Sequence, residues 1–325
     1  MQSFFEKKVD NNVHDIIGRI EPAGMLGKPI ECLQAELSVK YRTGDVFIVT
    51  FPKTGTTMLQ YMCHLLRTGA DDRANDFDDI HQVSPHTSSA WYIRQDLNAE
   101  QPALPRLFKS HRMLQQVAPN AHGVKFIATI REPFATLVSC YEHRKQQGRL
   151  SPPGTPCPTL SEFAHSDTWI KSFHPGSIDT LWDHLVTFWR CKDASNFLLL
   201  PFEDLVAERE MWIPIIAQFM NIPCDSELIA KVAEMTSKDS MLNIVTKFDE
   251  SWVIQRRREL GLPHPTILHE AAKVTNGHNV EKKALDGNLV TLHQQMWANK
   301  VEAALGIKNY AEMRRLLKEK YFKNL

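Results

Sequence analysis

The 325-residue chain lacks the features that mark several large classes of protein. No long apolar run occurs, and charges interrupt the first stretch, MQSFFEKKVDNNVHDII, where a signal peptide needs an apolar core. We therefore expect a soluble, cytoplasmic protein with no membrane partner. The six cysteines stand singly, without a CxxC pair, which argues against a zinc ribbon or a disulfide scaffold and favours reduced, buried thiols. The 38 Lys and Arg residues equal the 38 Asp and Glu residues in number. The chain therefore lacks the basic surplus that would indicate a nucleic-acid partner.

Three segments each join a short β-branched or aromatic run to a following stretch of helical periodicity. The predicted strands are Asp45 to Phe51, Val124 to Ile130 and Asn196 to Pro201. The predicted helices after them are Thr57 to Thr68, a helix from Pro133 to about Lys145, and one that contains Trp212 to Met220. This alternation predicts an α/β fold, a single domain whose central parallel sheet is flanked by helices.

The rest of the chain sets the predicted domain bounds. Residues 1–40 have the character of an irregular arm, and residues 41–325 form the predicted domain. The Pro- and Gly-rich stretch QGRLSPPGTPCPTLSEF is predicted to be a surface loop or lid, because helical segments resume directly after it. Two C-terminal helices, Val290 to Leu305 and Tyr310 to Tyr321, carry apolar residues at helical spacing and are expected to pack on the core.

The loop PKTGTT, after the first predicted strand, has the composition of a phosphate site. Backbone amides and the positive end of the helix dipole converge in such a strand, loop and helix, which is P-loop-like. Lys53 adds an ammonium group, and Gly55 lets backbone approach a ligand. The alternative is a plain connection whose threonines cap the helix. The Walker A order GxxxxGK[ST] is absent, which disfavours an ATP-hydrolysing P-loop.

Two further places offer candidate groups. Arg131 ends the second strand and Ser139 lies about two turns into the next helix, which suits a second phosphate, unless the arginine pairs with Glu132 or Glu142.

In the segment PRLFKSHR, Lys109 and His111 share one face if the segment is a strand. Lys109 would suit an electrophilic stabiliser and His111 a general base, although a lone histidine is more often structural.

Taken in order, FPKTGTT, FKSH, REPFATLVSCYEH and PFEDL resemble the cytosolic-type sulfotransferase family, which uses 3′-phosphoadenosine 5′-phosphosulfate (PAPS). The resemblance implies that the Lys53 loop holds the 5′-phosphosulfate, that Arg131 and Ser139 take the 3′-phosphate, and that His111 is the general base. It implies that Lys53 and Lys109 neutralise charge on the sulfuryl group, with no metal. The loop residues concerned are Lys53, Thr54, Gly55, Thr56 and Thr57.

The chain departs from the family pattern around the expected adenine. Met58 replaces a tryptophan, Phe202 a tyrosine, and Lys238, after Thr236, an aromatic residue. The motif of the family's C-terminal loop, which completes the 3′-phosphate site, is not found in this sequence either. AAKVTNGHNVEKK occupies a similar place and offers Lys273, Asn276 and Gly277, or else it is a solvated basic loop. The family's C-terminal dimer signature is not found, which leaves a homodimer open.

The resemblance implies a small-molecule acceptor that is sulfated on a hydroxyl or an amine. The acidic run DDRANDFDDI, Asp71 to Ile80, would favour a cationic acceptor if it lines the acceptor entrance, and is otherwise a solvated turn. Two alternatives stay open: an ATP-dependent small-molecule kinase, and a nucleotide-binding protein that has lost catalysis.

Overall fold

A parallel β-sheet lies at the centre of the computed structural model, which describes residues 39–117, 122–152, 154–171, 179–262, 273–274 and 287–323. Within these ranges the sheet has four strands in the order β2-β1-β3-β4, with every neighbouring pair parallel. The strands are β1 (Val46–Val49), β2 (Leu107–Ser110), β3 (Lys125–Ile130) and β4 (Phe197–Pro201).

Helices connect and cover the strands. In the amino-terminal half they are α1 (Thr56–Thr68), α2 (Ile80–Val83), α3 (Thr87–Ala90), α4 (Pro133–Gln146), α5 (Leu160–Ala164) and α6 (Asp167–Ile170). Later come α7 (Leu181–Cys191), α8 (Phe202–Ala207), α9 (Arg209–Met220), α10 (Ser226–Met235), α11 (Lys238–Asn243), α12 (Ser251–Glu259), α13 (Gly287–Met296), α14 (Ala303–Leu305) and α15 (Tyr310–Phe322). Short 3₁₀ turns cover Trp91–Ile93, Leu114–Gln116 and Val245–Phe248.

The strand order creates a crevice between β1 and β3. From β1 the chain runs through α1 to β2 on one side, and then passes to β3 on the other side of β1. Connections that leave two adjacent strands in opposite directions open a gap at their carboxyl ends, which is where open α/β sheets bind ligands. The residues that follow β1 and β3 therefore meet at this edge.

The strands are buried on both faces because helices cover the sheet on each side. Every residue of β1, β2 and β4 is buried. At the opposite, amino end of the sheet, Arg106 forms a buried two-pronged ion pair with Asp45, with Nε to Oδ1 at 3.0 Å and Nη2 to Oδ2 at 2.6 Å. This pair ties the start of β1 to the start of β2, and so fixes the register that aligns the ligand edge.

The structure confirms the predicted α/β class, its parallel sheet and the strand positions to within two residues. The conditional strand before His111 is β2. The predicted helix Val290 to Leu305 is divided, because a π-helical segment, Trp297–Glu302, separates α13 from α14. The Trp297 indole nitrogen donates to the Ile307 carbonyl at 2.8 Å, which anchors this wider segment to the chain that follows it.

Other predictions are met in part or fall outside the described ranges. Cys63, Cys140 and Cys191 are free and buried as expected, whereas Cys157 is exposed and Cys32 is not described. Almost all of the predicted arm, residues 1–38, also lies outside them. No helix in the described part of the chain is long and apolar enough to cross a bilayer.

Candidate active site

The Lys53 loop bends sharply at the end of β1. Lys53 and Gly55 both have positive φ, 68° and 101°. Gly55 is the N-cap of α1 and no side chain caps that helix end, so the first amides of α1 keep no partner within the helix. The alternative in which threonines cap the helix is therefore wrong. A Cβ on Gly55 would come within 2.3 Å of the Phe202 ring, so only glycine lets the loop lie this close to α8.

Two of the loop threonines use their hydroxyls to hold the loop. The Thr54 hydroxyl donates to the Phe51 carbonyl at 2.8 Å, and Thr56 and Thr50 share a hydrogen bond at 2.6 Å. Both loop hydroxyls are buried, whereas Thr57 is half-buried at the start of α1. The groups that remain for an anion are the Lys53 ammonium, the helix amides and Thr57.

Two lysines make this edge of the sheet strongly attractive to anions: Lys109 is buried and Lys53 is half-buried. Burial lowers the pKa of Lys53 to about 8, with a further contribution from the positive charges of Lys273 and Arg131. Burial and the charge of Lys273 likewise lower the pKa of Lys109 to about 7. Among the residues that the structure describes, neither ammonium has an ion-pair partner. Charged lysines held without a partner are stabilised by a bound phosphate or sulfate ester.

Arg131 joins the end of β3 to the Lys53 loop. Its Nη1 donates to the Lys53 carbonyl at 2.7 Å, and its guanidinium lies 4.9 Å from the centre of the Phe202 ring. Glu132 instead caps α4 through the amides of Phe134 and Ala135, so the alternative pairing of Arg131 with Glu132 is not formed. The structure thus brings the two predicted phosphate-binding positions together. Ser139, in α4, is half-buried.

His111 is held against the end of β1. Its Nδ1 lies 2.9 Å from the carbonyl oxygen of Thr50. Because a carbonyl oxygen only accepts, Nδ1 of the neutral ring carries the proton, and Nε2 is the nitrogen with the lone pair that a base needs. Lys109 is the third residue of β2, and its amide donates to the Pro85 carbonyl at 2.8 Å. The predicted base and stabiliser therefore stand beside the Lys53 loop.

The structure adds Glu250, a charged group that the sequence motifs do not include, beside Lys273. Lys273 forms an ion pair with Glu250 at 2.9 Å, and the charge of Lys273 acts on Lys53 and Lys109. Partial burial alone would raise the pKa of Glu250, but the charges of Lys273 and other cations hold that pKa well below its usual range. Lys273 thus lies at the Lys109 end of the site. Its predicted role at a 3′-phosphate stays a prediction, and Asn276 and Gly277 lie outside the described residues.

The expected adenine-contacting positions differ in their burial and contacts. Met58 is half-buried against the core, and Phe202 packs under Gly55 and Arg131. The Thr236 hydroxyl donates to the Val232 carbonyl at 2.6 Å, at the end of α10, and Lys238 is exposed. Thr236 thus uses its hydroxyl within its own helix end.

Acidic and imidazole groups are common near Lys109, but they are not arranged as a metal centre. Across the described ranges, no group of three or more His, Cys, Asp or Glu side chains is placed to hold a metal ion. The charges that face a ligand here come from lysine and arginine.

Comparison with known proteins identifies the class that this fold and site define. Residues 43–253 match the family described as the sulfotransferase domain. The chain belongs to the sulfotransferase family.

Individual relatives are distant. The chain is 28% identical to sulfotransferase 2B1 of Mus musculus over 214 residues, covering 65% of this chain and 60% of that protein. It is 27% identical to sulfotransferase 4A1 of Homo sapiens over 198 residues, covering 59% of this chain and 65% of that protein. The matches thus span less than two thirds of the length of these curated relatives.

Solved structures share the fold. Retinol dehydratase, in complex with androsterone and the inactive cofactor PAP, matches with a TM-score of 0.64 and 15% identity, covering 84% of each chain. Mouse sulfotransferase SULT7A1, complexed with PAP, matches with a TM-score of 0.58 and 18% identity, covering 89% of this chain and 92% of that chain.

Proposed function

We propose that this protein is a PAPS-dependent sulfotransferase that moves a sulfuryl group to a hydroxyl or amine of a small molecule. The observation that carries the proposal is the meeting of two cationic positions at the crevice, where Arg131 Nη1 lies 2.7 Å from the Lys53 carbonyl. A nucleotide with phosphates at both its 5′ and 3′ ends requires two such positions, and the family and the shared fold support this donor. As in the sequence-based expectation, the proposed location is the cytoplasm.

The chain's own residues supply binding and proton transfer. PAPS supplies the sulfuryl group. Lys53, Gly55, Thr56 and Thr57 would hold its phosphosulfate end, and Arg131 with Ser139 its 3′-phosphate. His111 Nε2 takes the proton of the acceptor group as the acceptor forms its bond to sulfur and the bond from sulfur to the phosphate oxygen breaks. Lys53 and Lys109 stabilise the charge that gathers on that oxygen.

The proposal also covers the charge of the acceptor and the oligomeric state of the protein. Of the acidic run, Asp71, Asp72, Asp76 and Asp78 are exposed, and only Asp79 is buried near Lys109. A preference for cationic acceptors would therefore depend on Asp79, whereas Asp78→Asn would leave it unchanged. A homodimer stays a proposal as well. No specific observation favours the kinase or the inactive alternative.

A thermal-shift titration tests the donor site without a known acceptor. We expect 3′-phosphoadenosine 5′-phosphate (PAP) to raise the melting temperature, because a ligand that binds only the folded state stabilises it by mass action. ATP with magnesium and 5′-AMP, run beside it, should give smaller shifts, since neither carries a 3′-phosphate. A larger shift with ATP, or none with PAP, would contradict the proposed donor.

Binding of PAP should also depend on pH. The pKa values of Lys53 and Lys109 lie at about 8 and about 7, below the ordinary value of 10.5. At pH 8 part of each lysine is neutral in the free protein, and an anionic ligand draws a proton back onto it. We therefore expect proton uptake on binding and an affinity that falls as pH rises from 7 to 9.

Calorimetry in two buffers of different ionisation enthalpy measures this uptake. Lys109→Met should lower the number of protons taken up, while the exposed Lys171→Met, as a control, should not. Equal binding heats in both buffers at pH 8 would show that these lysines are already charged in the free protein.

A further inference from the structure

Polar side chains surround the place where an acceptor must bind. If His111 and Lys109 act as proposed above, on which this inference rests, the acceptor group lies beside both. The ring of His86 packs against that of His111, with centres 5.3 Å apart and planes at 77°. His86 also pairs with Lys109 in a parallel bridge. His86 therefore forms the wall nearest to the base.

Next to His86 lies a buried pair of polar side chains, His81 and Asp79. The His81 ring is centred 6.1 Å from that of His86, and its Nδ1 lies 2.6 Å from Oδ1 of Asp79. His81 and Asp79 are fully buried, and Oδ2 of Asp79 has no hydrogen-bond partner in the part of the chain described. Buried carboxylate oxygens are normally paired, so this one indicates a missing partner.

A third imidazole approaches from α4. Cys140 lies against the Pro52 carbonyl at 3.7 Å, and His143, three residues later, projects from the same side of the helix. Burial, then the charge of Lys53, lowers the pKa of His143 to about 3, so the ring is neutral. Its Nδ1 is buried and has no hydrogen-bond partner among the described residues. A neutral imidazole offers one donor and one acceptor to a ligand.

The Glu250 and Lys273 pair completes this polar surround. The charges of Glu250 and Lys273 both act on Lys109, in β2, and on His143, in α4, so the pair lies near both side chains. Its Nζ to Oε1 distance is 2.9 Å. An apolar acceptor beside these groups would exclude water from them without offering a hydrogen bond in its place, which is unfavourable for each polar group left unpaired.

We propose that the acceptor is a small polar molecule that carries several hydroxyl or amino groups, and that His86 and His143 bind the groups next to the one that is sulfated. Asp79 and the Glu250 and Lys273 pair bind the more distant groups. Apolar acceptors such as a sterol or a simple phenol fit this surround poorly. The side chains of this chain that carry the proposal are His86, His143, Asp79 and the Glu250 and Lys273 pair.

An acceptor panel tests the proposal. A polyol, an amino sugar, a phenol and a sterol are each supplied with PAPS, and release of PAP is measured as kcat/KM. We expect kcat/KM for the better polar acceptor to exceed kcat/KM for the phenol and for the sterol by about tenfold or more. An apolar acceptor leaves at least two buried polar groups without a hydrogen-bond partner.

Variants connect the preference to named residues. His86→Phe and His143→Phe should each lower the polar-to-apolar ratio by about tenfold or more. His143→Gln keeps a donor and an acceptor and should retain most of the ratio, and the exposed His165→Phe should leave it unchanged. PAP must raise the melting temperature of each variant as in the parent chain, which establishes that the donor site is intact.

The outcomes separate the two proposals. PAP binding with turnover of only the phenol or the sterol, or of no acceptor, would overturn the polar-acceptor proposal and leave the donor site standing. A ratio unchanged in His143→Phe would overturn the role of His143. Absence of any PAP shift would overturn the proposed function and this inference with it.

Discussion

His111→Ala should lower turnover by about 10² to 10⁴ while the affinity for PAP stays nearly unchanged. The imidazole acts when the acceptor loses its proton, and its Nδ1 bond to the Thr50 carbonyl at 2.9 Å fixes the nitrogen that takes it. A group that acts only in the chemical step changes kcat and leaves donor binding in place. Steady-state kinetics with the best acceptor of the panel, together with a PAP titration, measures both.

A structural role for His111 gives a different result. Loss of its hydrogen bond to the Thr50 carbonyl would lower the free energy of unfolding by about 1 kcal/mol. If chemical denaturation showed a loss far above this and turnover of the folded fraction fell less than about tenfold, the histidine would be structural. As a further check, an acceptor with a more acidic hydroxyl should lose less turnover in His111→Ala, because its proton leaves with less help from a base.

The parts of the site that the sequence predicts correctly are those written in local patterns. Lys53 and Gly55 stand between a strand and a helix, so their meeting with helix amides follows from neighbouring residues alone. Lys109 and His111 are two apart at a strand end, and a period of two places them together. Parallel strands end at one edge, which then brings Arg131 to the Lys53 carbonyl.

The parts that the sequence leaves out depend on contacts between distant segments. Glu250 and His143 are separated by more than a hundred residues, and no spacing rule relates them. Their electrostatic interaction, and the ion pair of Glu250 with Lys273, arise only in the folded chain. Single histidines in a chain with 14 of them give no signal by themselves.

Asp79 is the residue at which the prediction of a solvated turn, made from the composition of the acidic run, fails. The run DDRANDFDDI is predicted to be a solvated turn unless it lines the acceptor entrance, and Asp71, Asp76 and Asp78 are indeed exposed. Asp79 differs because its carboxylate accepts from the His81 amide at 2.9 Å and thereby caps α2. The side chain of Asp79 is also fully buried, so a charge that the local sequence assigns to water lies inside the protein.

Arg131→Ala should raise the dissociation constant of PAP by about 10-fold to 100-fold, because a charged hydrogen bond to a phosphate contributes about 1.5 to 3 kcal/mol. Arg131 also holds the Lys53 carbonyl and lies on the Phe202 ring, so its removal loosens the whole loop. The loop effect weakens every nucleotide, whereas loss of a 3′-phosphate contact weakens only those that carry that group. Calorimetric titration with PAP and with 5′-AMP separates the two effects.

The ratio of the two dissociation constants therefore carries the information about Arg131. We expect Arg131→Ala to weaken PAP much more than 5′-AMP, and Arg131→Lys, which keeps the charge without the planar fork, to fall between the parent chain and the alanine variant. Equal weakening of both nucleotides would mean that Arg131 only positions the Lys53 loop. In that case the 3′-phosphate would have to be bound by Ser139 and by cations outside β3 and α4, and Lys273 would be the first to replace, since Glu250 already holds its ammonium at the edge of the site.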